Sequence, residues 1–460
     1  MSAKSINRLP ARAWRYTLGG MMLATGGFVL DQIIAAPFVG VYPGEVIANP
    51  GAVVANPVPQ LAPQTQDQQD QPNEMDVFQP AGEAEGNPLP EIFRYGPLQL
   101  HPHASYSFMY GSGIQNAPGS QENMIIQQLS PGILIDLGTH WSLDYTPTLE
   151  FYSSDKFKDN VDQSVALTGG LDYEAWQFGL AHSTQITSDP IVETGTQTDT
   201  DTHTTTLSAS RAMNSQVSAD FALNQTIMLV SGFDDSYDWN TLDWINYEFT
   251  PRLNAGLGAG GGYVLVENNG NGNGQVAASG QSGSLDQYYE QVQARVNWRA
   301  TDKISFQISG GVEDRQFETA GAGDSLDPIF SASIQYQPLK NTQISLAASR
   351  TAAASDFYLA AQQTETTVVS LGVNQKLWRK FSLGGGVAYT RMDYSTPAFA
   401  GAGGAANRND DIVSFNAQLS HPFYKRGTWS LFYQYSDDTS SQAGFGYQSS
   451  QVGMSVSYSF

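Results

Sequence analysis

WSLDYTPTLEF, residues 141–151, sets Trp141, Leu143, Tyr145, Pro147, Leu149 and Phe151 against Ser142, Asp144, Thr146, Thr148 and Glu150. Successive side chains of a strand point to opposite faces, so this run predicts a strand with one apolar and one polar face. The pattern recurs at Val217, Ala219, Phe221 and Leu223, at Val292, Ala294, Val296 and Trp298, and at Ile304, Phe306 and Ile308. It returns at Val413, Phe415, Ala417 and Leu419 and at Trp429, Leu431, Tyr433 and Tyr435. No stretch of comparable length repeats every 3.6 residues.

The connectors decide the architecture. Short links fall at LGTHW, YEAW, AMNSQ, FTPRL, RATDK, QPLKN, LWRK and HPFYKRGT. Longer ones fall between them, at about 111–123, 153–160, 188–202, 231–237, 267–284, 314–327, 351–365, 391–411 and 436–445. Alternating short and long links joins an even number of strands, eighteen by this reading with sixteen as the alternative, and leaves both chain ends on the short-turn side. This is the up-and-down antiparallel topology of a transmembrane β-barrel, one of two ways to satisfy every backbone hydrogen bond in a bilayer. A soluble sandwich would need a dry core, whereas Ser414, Asn416, Gln418 and Ser420 line the alternate face with polar groups suited to water. Aromatic residues gather near strand ends, at Tyr106, Tyr110, Trp141, Trp176, Trp239, Trp244, Trp298, Trp378 and Trp429, as interfacial girdles require.

Composition narrows the function. The 460-residue chain has no cysteine, which excludes disulfides, thiolate metal sites and cysteine nucleophiles. Its formal charge of −22 sets nucleic acid aside as a partner, because phosphate recognition needs clustered Lys and Arg. Arg8, Arg12 and Arg15 precede YTLGGMMLATGGFVL and the small residues of IIAAP, which reads as an export signal over 1–36. Residues 37–93 hold ten of the 22 prolines, with no Lys or Arg between Arg15 and Arg94. They read as a Pro/Gln-rich acidic disordered linker ahead of a barrel over 94–460.

The chain closes on VGMSVSYSF, with Val452, Met454, Val456, Tyr458 and Phe460 on one face. As the last strand of a barrel it must close against the first, near His103 to Tyr110. The repeated units FSLGGGVAYTRMDY, KISFQISGGVEDRQF, PRLNAGLGAGGGYVL and TQISLAASRTAAA resemble the putative β-barrel porin family, type 2, over the whole of the predicted barrel. The resemblance implies a Gram-negative outer-membrane location, outer-membrane lipids around the wall, and a link by analogy to envelope polysaccharide systems. The aromatic terminus resembles the carboxy-terminal signature of such barrels, and that likeness makes Tyr458 and Phe460 a signal for the barrel-assembly machinery. A homo-oligomer is an analogy with general porins.

Charge gives the orientation. Arg211, Arg252, Arg299, Lys303, Lys340, Lys376, Arg379, Lys380, Lys425 and Arg426 sit in or beside short turns. Asp189, Asp199, Asp201, Asp234, Asp235, Asp238, Asp324, Asp327, Asp410, Asp411, Asp437 and Asp438 mark the long loops, which are placed outside the cell, with both termini periplasmic. GLGAGG at 256–261 matches a dinucleotide-binding glycine pattern but lies inside a strand, so its glycines give room or relieve curvature instead. NNGNGNG at 268–274 and DDSYD at 234–238 lack the ligand spacing of calcium loops, so no metal and no cofactor is assigned. His101, His103, His140 and His421 occupy boundaries. His182 and His203 flank the third long connector near Ser183 and Asp201, yet nothing local forms an oxyanion hole, and no catalytic residue is assigned.

Strand parity puts Asp136, Asp144, Glu150, Asp172, Asp220 and Glu313 on the inward face, with Arg295 as the opposing charge. A lumen lined in this way favours cations. Passive diffusion of small hydrophilic solutes is the first expectation, with loops 267–284 and 391–411 long enough to constrict the pore. A conduit for envelope polysaccharide and a closed structural or adhesive barrel are the alternatives.

Overall fold

The computed structural model describes residues 93–112, 122–190, 197–233, 235–267, 286–318, 324–354, 363–378, 380–395, 408–424 and 426–459. The export signal, nearly all of the linker and Phe460 therefore lie outside the described residues. A two-residue strand, β1 (Arg94–Tyr95), precedes eighteen long ones. The first half of the wall is β2 (Leu98–Ser112), β3 (Asn123–Leu137), β4 (Trp141–Tyr152), β5 (Asn160–Tyr173), β6 (Trp176–Pro190), β7 (Gln197–Ala212), β8 (Val217–Val230), β9 (Asp235–Thr250) and β10 (Leu253–Glu267). The second is β11 (Gln287–Thr301), β12 (Ile304–Phe317), β13 (Ser325–Leu339), β14 (Thr342–Ala354), β15 (Gln363–Leu377), β16 (Phe381–Ser395), β17 (Arg408–Phe423), β18 (Gly427–Ser440) and β19 (Tyr447–Ser459).

Each long strand pairs antiparallel with its sequence neighbours, and β19 closes on β2 from Ser450 opposite Ser112 to Ser459 opposite His103. The result is a closed eighteen-strand barrel, and sixteen is excluded. Closure leaves no long edge unpaired, which suits a wall that meets hydrocarbon. Short turns join β3 to β4, β5 to β6 and so on around one rim. Three of them hold a non-glycine residue at positive φ: Glu174 (55°), Trp378 (45°) and Tyr424 (51°). Trp378 and Tyr424 are also the most exposed large aromatic side chains, so the left-handed turn residue projects its ring beyond the rim.

The strands run further than the sequence indicates. Asp189, Asp199, Asp201, Asp235, Asp238, Asp327, Asp410, Asp411, Asp437 and Asp438, read as loop residues, all lie within strands. The reason is that ladder hydrogen bonds continue past the apolar band, where both faces become polar and alternation disappears from the sequence. Among the described residues there is no single dry core. Three small apolar clusters sit on the inner side instead: Met109, Met124, Ile126, Phe157 and Phe432; Met228 and Val230; and Met392, Tyr394 and Ile412.

Candidate functional site: the inner wall

The face of each strand follows from its exposed apolar side chains. Leu129, Phe151, Leu171, Leu207, Leu223, Ile245, Leu257, Val292, Ile308, Leu371, Val413, Leu431 and Met454 mark the outside. Their sequence neighbours turn inward, and by this alternation Asp136, Asp144, Glu150, Asp172, Asp220, Arg295 and Glu313 fall on the inner side.

These side chains are distributed among separate networks. Asp136 Oδ2 lies 2.8 Å from His101 Nε2 on the adjoining β2. Asp144 Oδ2 lies 3.1 Å from His103 Nε2 and accepts at Oδ1 from Thr146 Oγ1 at 2.7 Å. Two residues read as boundary histidines thus face inward-pointing carboxylates. Glu150, 3% exposed, accepts from the Gln128 amide and the Tyr152 hydroxyl. Asp172 stands exposed near the short-turn rim, opposite Gln177, and belongs to none of these networks.

The densest part of the wall spans β8 to β12. Asp220 is bonded both to the Arg295 guanidinium and to the Asn246 amide, while Arg295 Nε donates to Asn246 Oδ1 at 2.9 Å. The same guanidinium lies 4.3 Å from the Trp244 ring centroid, so Trp244, expected in the interfacial girdle, is buried on the inner wall, because the exposed Ile245 beside it takes the outward face. A second unit of the same composition uses Arg315, which donates to Glu313 Oε1 from Nε (3.0 Å) and Nη2 (2.7 Å) and to Gln287 Oε1 from Nη1 (3.1 Å). Arg315 lies 4.4 Å from the Tyr289 ring, and Tyr289 Oη donates to Asp238 Oδ1 at 3.3 Å. Each unit combines a carboxylate, a guanidinium and an aromatic face, so ion pairing and cation–π attraction hold the same arginine.

Strand β10 makes room for both. Gly256, Gly258, Gly260 and Gly262 oppose Asn246, Trp244, Leu242 and Asn240 on β9, and Arg295, Gln293, Gln291 and Tyr289 on β11. A Cβ at Gly258 would come 2.7 Å from the Trp244 ring, and one at Gly262 would come 2.4 Å from the Tyr289 ring. The glycine run is a shelf on which the two aromatic rings rest.

Three connectors on the long-loop rim put a phenylalanine against the inner wall. Phe157, between β4 and β5, packs with Met109, Met124, Ile126 and Phe432, and its connector is tied to β7 by Lys158 N donating to Gln197 Oε1 at 2.9 Å. Phe233 packs on Met228 and Val230, and Phe445 lies 4.6 Å from the Arg408 guanidinium. Beneath the first connector, Glu150, Asp162 and Asp189 each bring a carboxylate oxygen within 4.8 Å of the others, a spacing that a divalent cation could bridge.

Several inward residues escaped the sequence reading. Arg315 and Arg408 are inner cations beside Glu313 and Asp410, legible in hindsight as Arg and carboxylate two residues apart on one strand. Ser183 and His182, adjacent in sequence, face opposite sides of the wall: Ser183 opposes the inward Ala166, whereas His182 opposes the outward Leu167. His182 and His203 also lie within β6 and β7 rather than beside their connector. Residues 268–285 and 396–407, most of the two loops expected to constrict the pore, lie outside the described residues. Tyr458 pairs with Gly427 on one side and Ala104 on the other, at the closing seam.

A family model described as putative beta-barrel porin 2 matches residues 93–460. No curated protein matches the chain. Among solved structures, OpdO of Pseudomonas aeruginosa is 12% identical, with 80% of this chain and 99% of that one covered and a TM-score of 0.43. OpdF of the same organism, solved with glucuronate, is 10% identical over 79% and 98%, at a TM-score of 0.42. The Pseudomonas aeruginosa siderophore receptor PirA is 9% identical over 78% and 80%, at 0.41.

Proposed function

We propose that the chain, which belongs to the putative beta-barrel porin 2 family, is an outer-membrane channel through which small hydrophilic solutes diffuse, with a preference for cations. The observation that carries this reading is the inner wall of an eighteen-strand barrel, polar along its length and richer in carboxylates than in cations. Barrels of this size hold an aqueous lumen unless something fills them. Asp136, Asp144 and Asp172 then face the water-filled path, while Glu150, Asp220 and Glu313 lie beneath its surface within their hydrogen-bonded networks. The Asp220–Arg295 and Glu313–Arg315 pairs are each internally neutral, so the sign of the field rests on the remaining inward carboxylates.

In this reading the basic short turns face the periplasm with both chain termini, the acidic strand ends face outward, and Tyr458 with Phe460 engages the assembly machinery. Residues 1–36 direct export and 37–93 tether the barrel. The test is a planar-bilayer recording of the purified full chain, with reversal potentials in a potassium chloride gradient. Stable openings with potassium more permeant than chloride are expected. A folded barrel that never conducts would sink diffusion in favour of a polysaccharide conduit or a closed surface barrel, and a chloride-selective channel would overturn the charge argument alone.

A further inference from the structure

The outer wall is largely apolar between its aromatic levels; Glu290 on β11 and Asp314 on β12 face outward just below the upper level, and the β6–β9 sector carries a patch of polar side chains. On β9 the outward series upward from the short turn reads Phe249, Tyr247, Ile245, Asp243, Thr241, Trp239, so a carboxylate and a hydroxyl stand between the two aromatic levels. On β6 the series is Trp176, Phe178, Leu180, His182, Thr184, and on β7 it is Arg211, Ala209, Leu207, Thr205, His203. Gln225 continues the patch on β8, opposite Thr205 on β7 and Trp239 on β9, with Leu223 opposite Thr241 one step below.

These groups bond to one another only in part. Thr184 Oγ1 lies 3.2 Å from His182 Nε2 and 2.9 Å from His203 Nδ1, and His182 Nδ1 lies 2.9 Å from Thr205 Oγ1. Asp243 Oδ1 accepts from Thr241 Oγ1 at 3.0 Å, and the Ala222 backbone hydrogen-bonds to the same carboxylate where the β8–β9 ladder lapses between Asp220 and Leu223. Among the described residues, nothing bonds His203 Nε2 or the Gln225 amide, and no cation pairs with Asp243. Lipid chains offer no hydrogen bonds, so a wall designed to meet only lipid would carry none of these groups at this depth. Beside them, Ala259 and Gly261 on β10 stand opposite Asp243 and Thr241 and leave the flank low enough for another surface to approach.

We propose that the β6–β9 sector is a contact surface for a second copy of this chain, related by a two-fold axis along the membrane normal near Gln225. The sector is self-complementary under that operation. Gln225 meets its own counterpart, an amide pair in which each side chain can donate and accept, and the β7 side of each copy, with His203 and Thr205, faces the β9 side of the other, with Thr241 and Asp243. The donors of one copy therefore meet the acceptors of its partner without either leaving the bilayer.

The chain has no cysteine, so one introduced thiol reports alone. Gln225→Cys in the full chain is treated in native outer membranes with a short bis-maleimide, beside Met454→Cys on the opposite, uniformly apolar wall. A dimer-sized product at Gln225→Cys, at least tenfold stronger than at Met454→Cys and reduced at least tenfold when Asp243→Leu is added to a heat-modifiable, folded barrel, is expected. Equal yields at the two positions, a product joining Gln225→Cys to a different protein, or a dimer indifferent to Asp243→Leu would overturn the proposal.

Discussion

Strands β10 and β16 are written in nearly the same letters, NAGLGAGGGY and FSLGGGVAY, and do opposite things. On β10 the glycines are filled space: Gly256, Gly258 and Gly262 underlie Asn246, Trp244 and Tyr289, and a Cβ at Gly260 would sit 2.0 Å from the Thr241 carbonyl oxygen. On β16 a Cβ at Gly384 would meet nothing within 4 Å, and one at Gly385 would be 3.3 Å from the Asn416 carbonyl oxygen, while one at Gly386 would press only on the end of the Asn416 side chain, 2.8 Å from Oδ1, and lie 3.2 Å from the Leu371 carbonyl oxygen. The difference lies in the neighbours. Strands β9 and β11 bring inward aromatic and arginine side chains that need room, whereas β15 and β17 bring Asn374, Ser370, Asn416 and Gln418. A glycine run in a barrel therefore has no fixed meaning until the adjoining strands are known.

Four substitutions test that contrast. Gly260→Ala forces a backbone carbonyl aside and is expected to cost about 2–3 kcal/mol in a denaturant titration of the barrel in vesicles. Gly258→Ala displaces only the Trp244 ring, for about 1–2 kcal/mol, and should perturb near-UV circular dichroism as Arg295 loses its stacking surface. Gly384→Trp adds a large side chain to open space; its unfolding midpoint should stay near wild type while single-channel conductance falls. Gly384→Ala should leave conductance alone and raise stability by about 0.4–1 kcal/mol, since its backbone is ordinary and the unfolded chain becomes less free. If Gly384→Ala proves as costly as Gly258→Ala, the two strands do not differ in the way their neighbours indicate.

How far the molecule could be read from its letters follows the physics of each feature. The strand number and the closing seam were legible because one face must be apolar across the membrane, so Val452 and Met454 alternate as strictly as Trp141 to Phe151. The upper strand ends were not, because Asp410 to Ser440 and similar pairs satisfy their backbones above the apolar band, where no face need be apolar. Phe157, Phe233 and Phe445 were invisible as wall contacts: one aromatic residue in a polar connector carries no period, and its destination depends on Met109 or Arg408 from distant strands. The β6–β9 patch was hidden for the opposite reason. A polar residue in an outward position looks like a strand boundary, so the letters alone set His182 and His203 at the ends of a connector, although both lie well inside long strands.

The short strand β1 has a consequence for the order in which the wall can be sealed. Among the described residues β19 pairs with β2 as far as Ser459 opposite His103, and the hairpin turned at Gly96 sets Arg94 against Gln99 and Tyr95 against Leu98. The chain that precedes the barrel thus furnishes the last stitches along the lower margin of its first strand, on the side of that strand that faces β19. A chain trimmed to Leu98 would still close, yet it would offer two residues of bare backbone at the rim, a small template on which a foreign strand could start to grow.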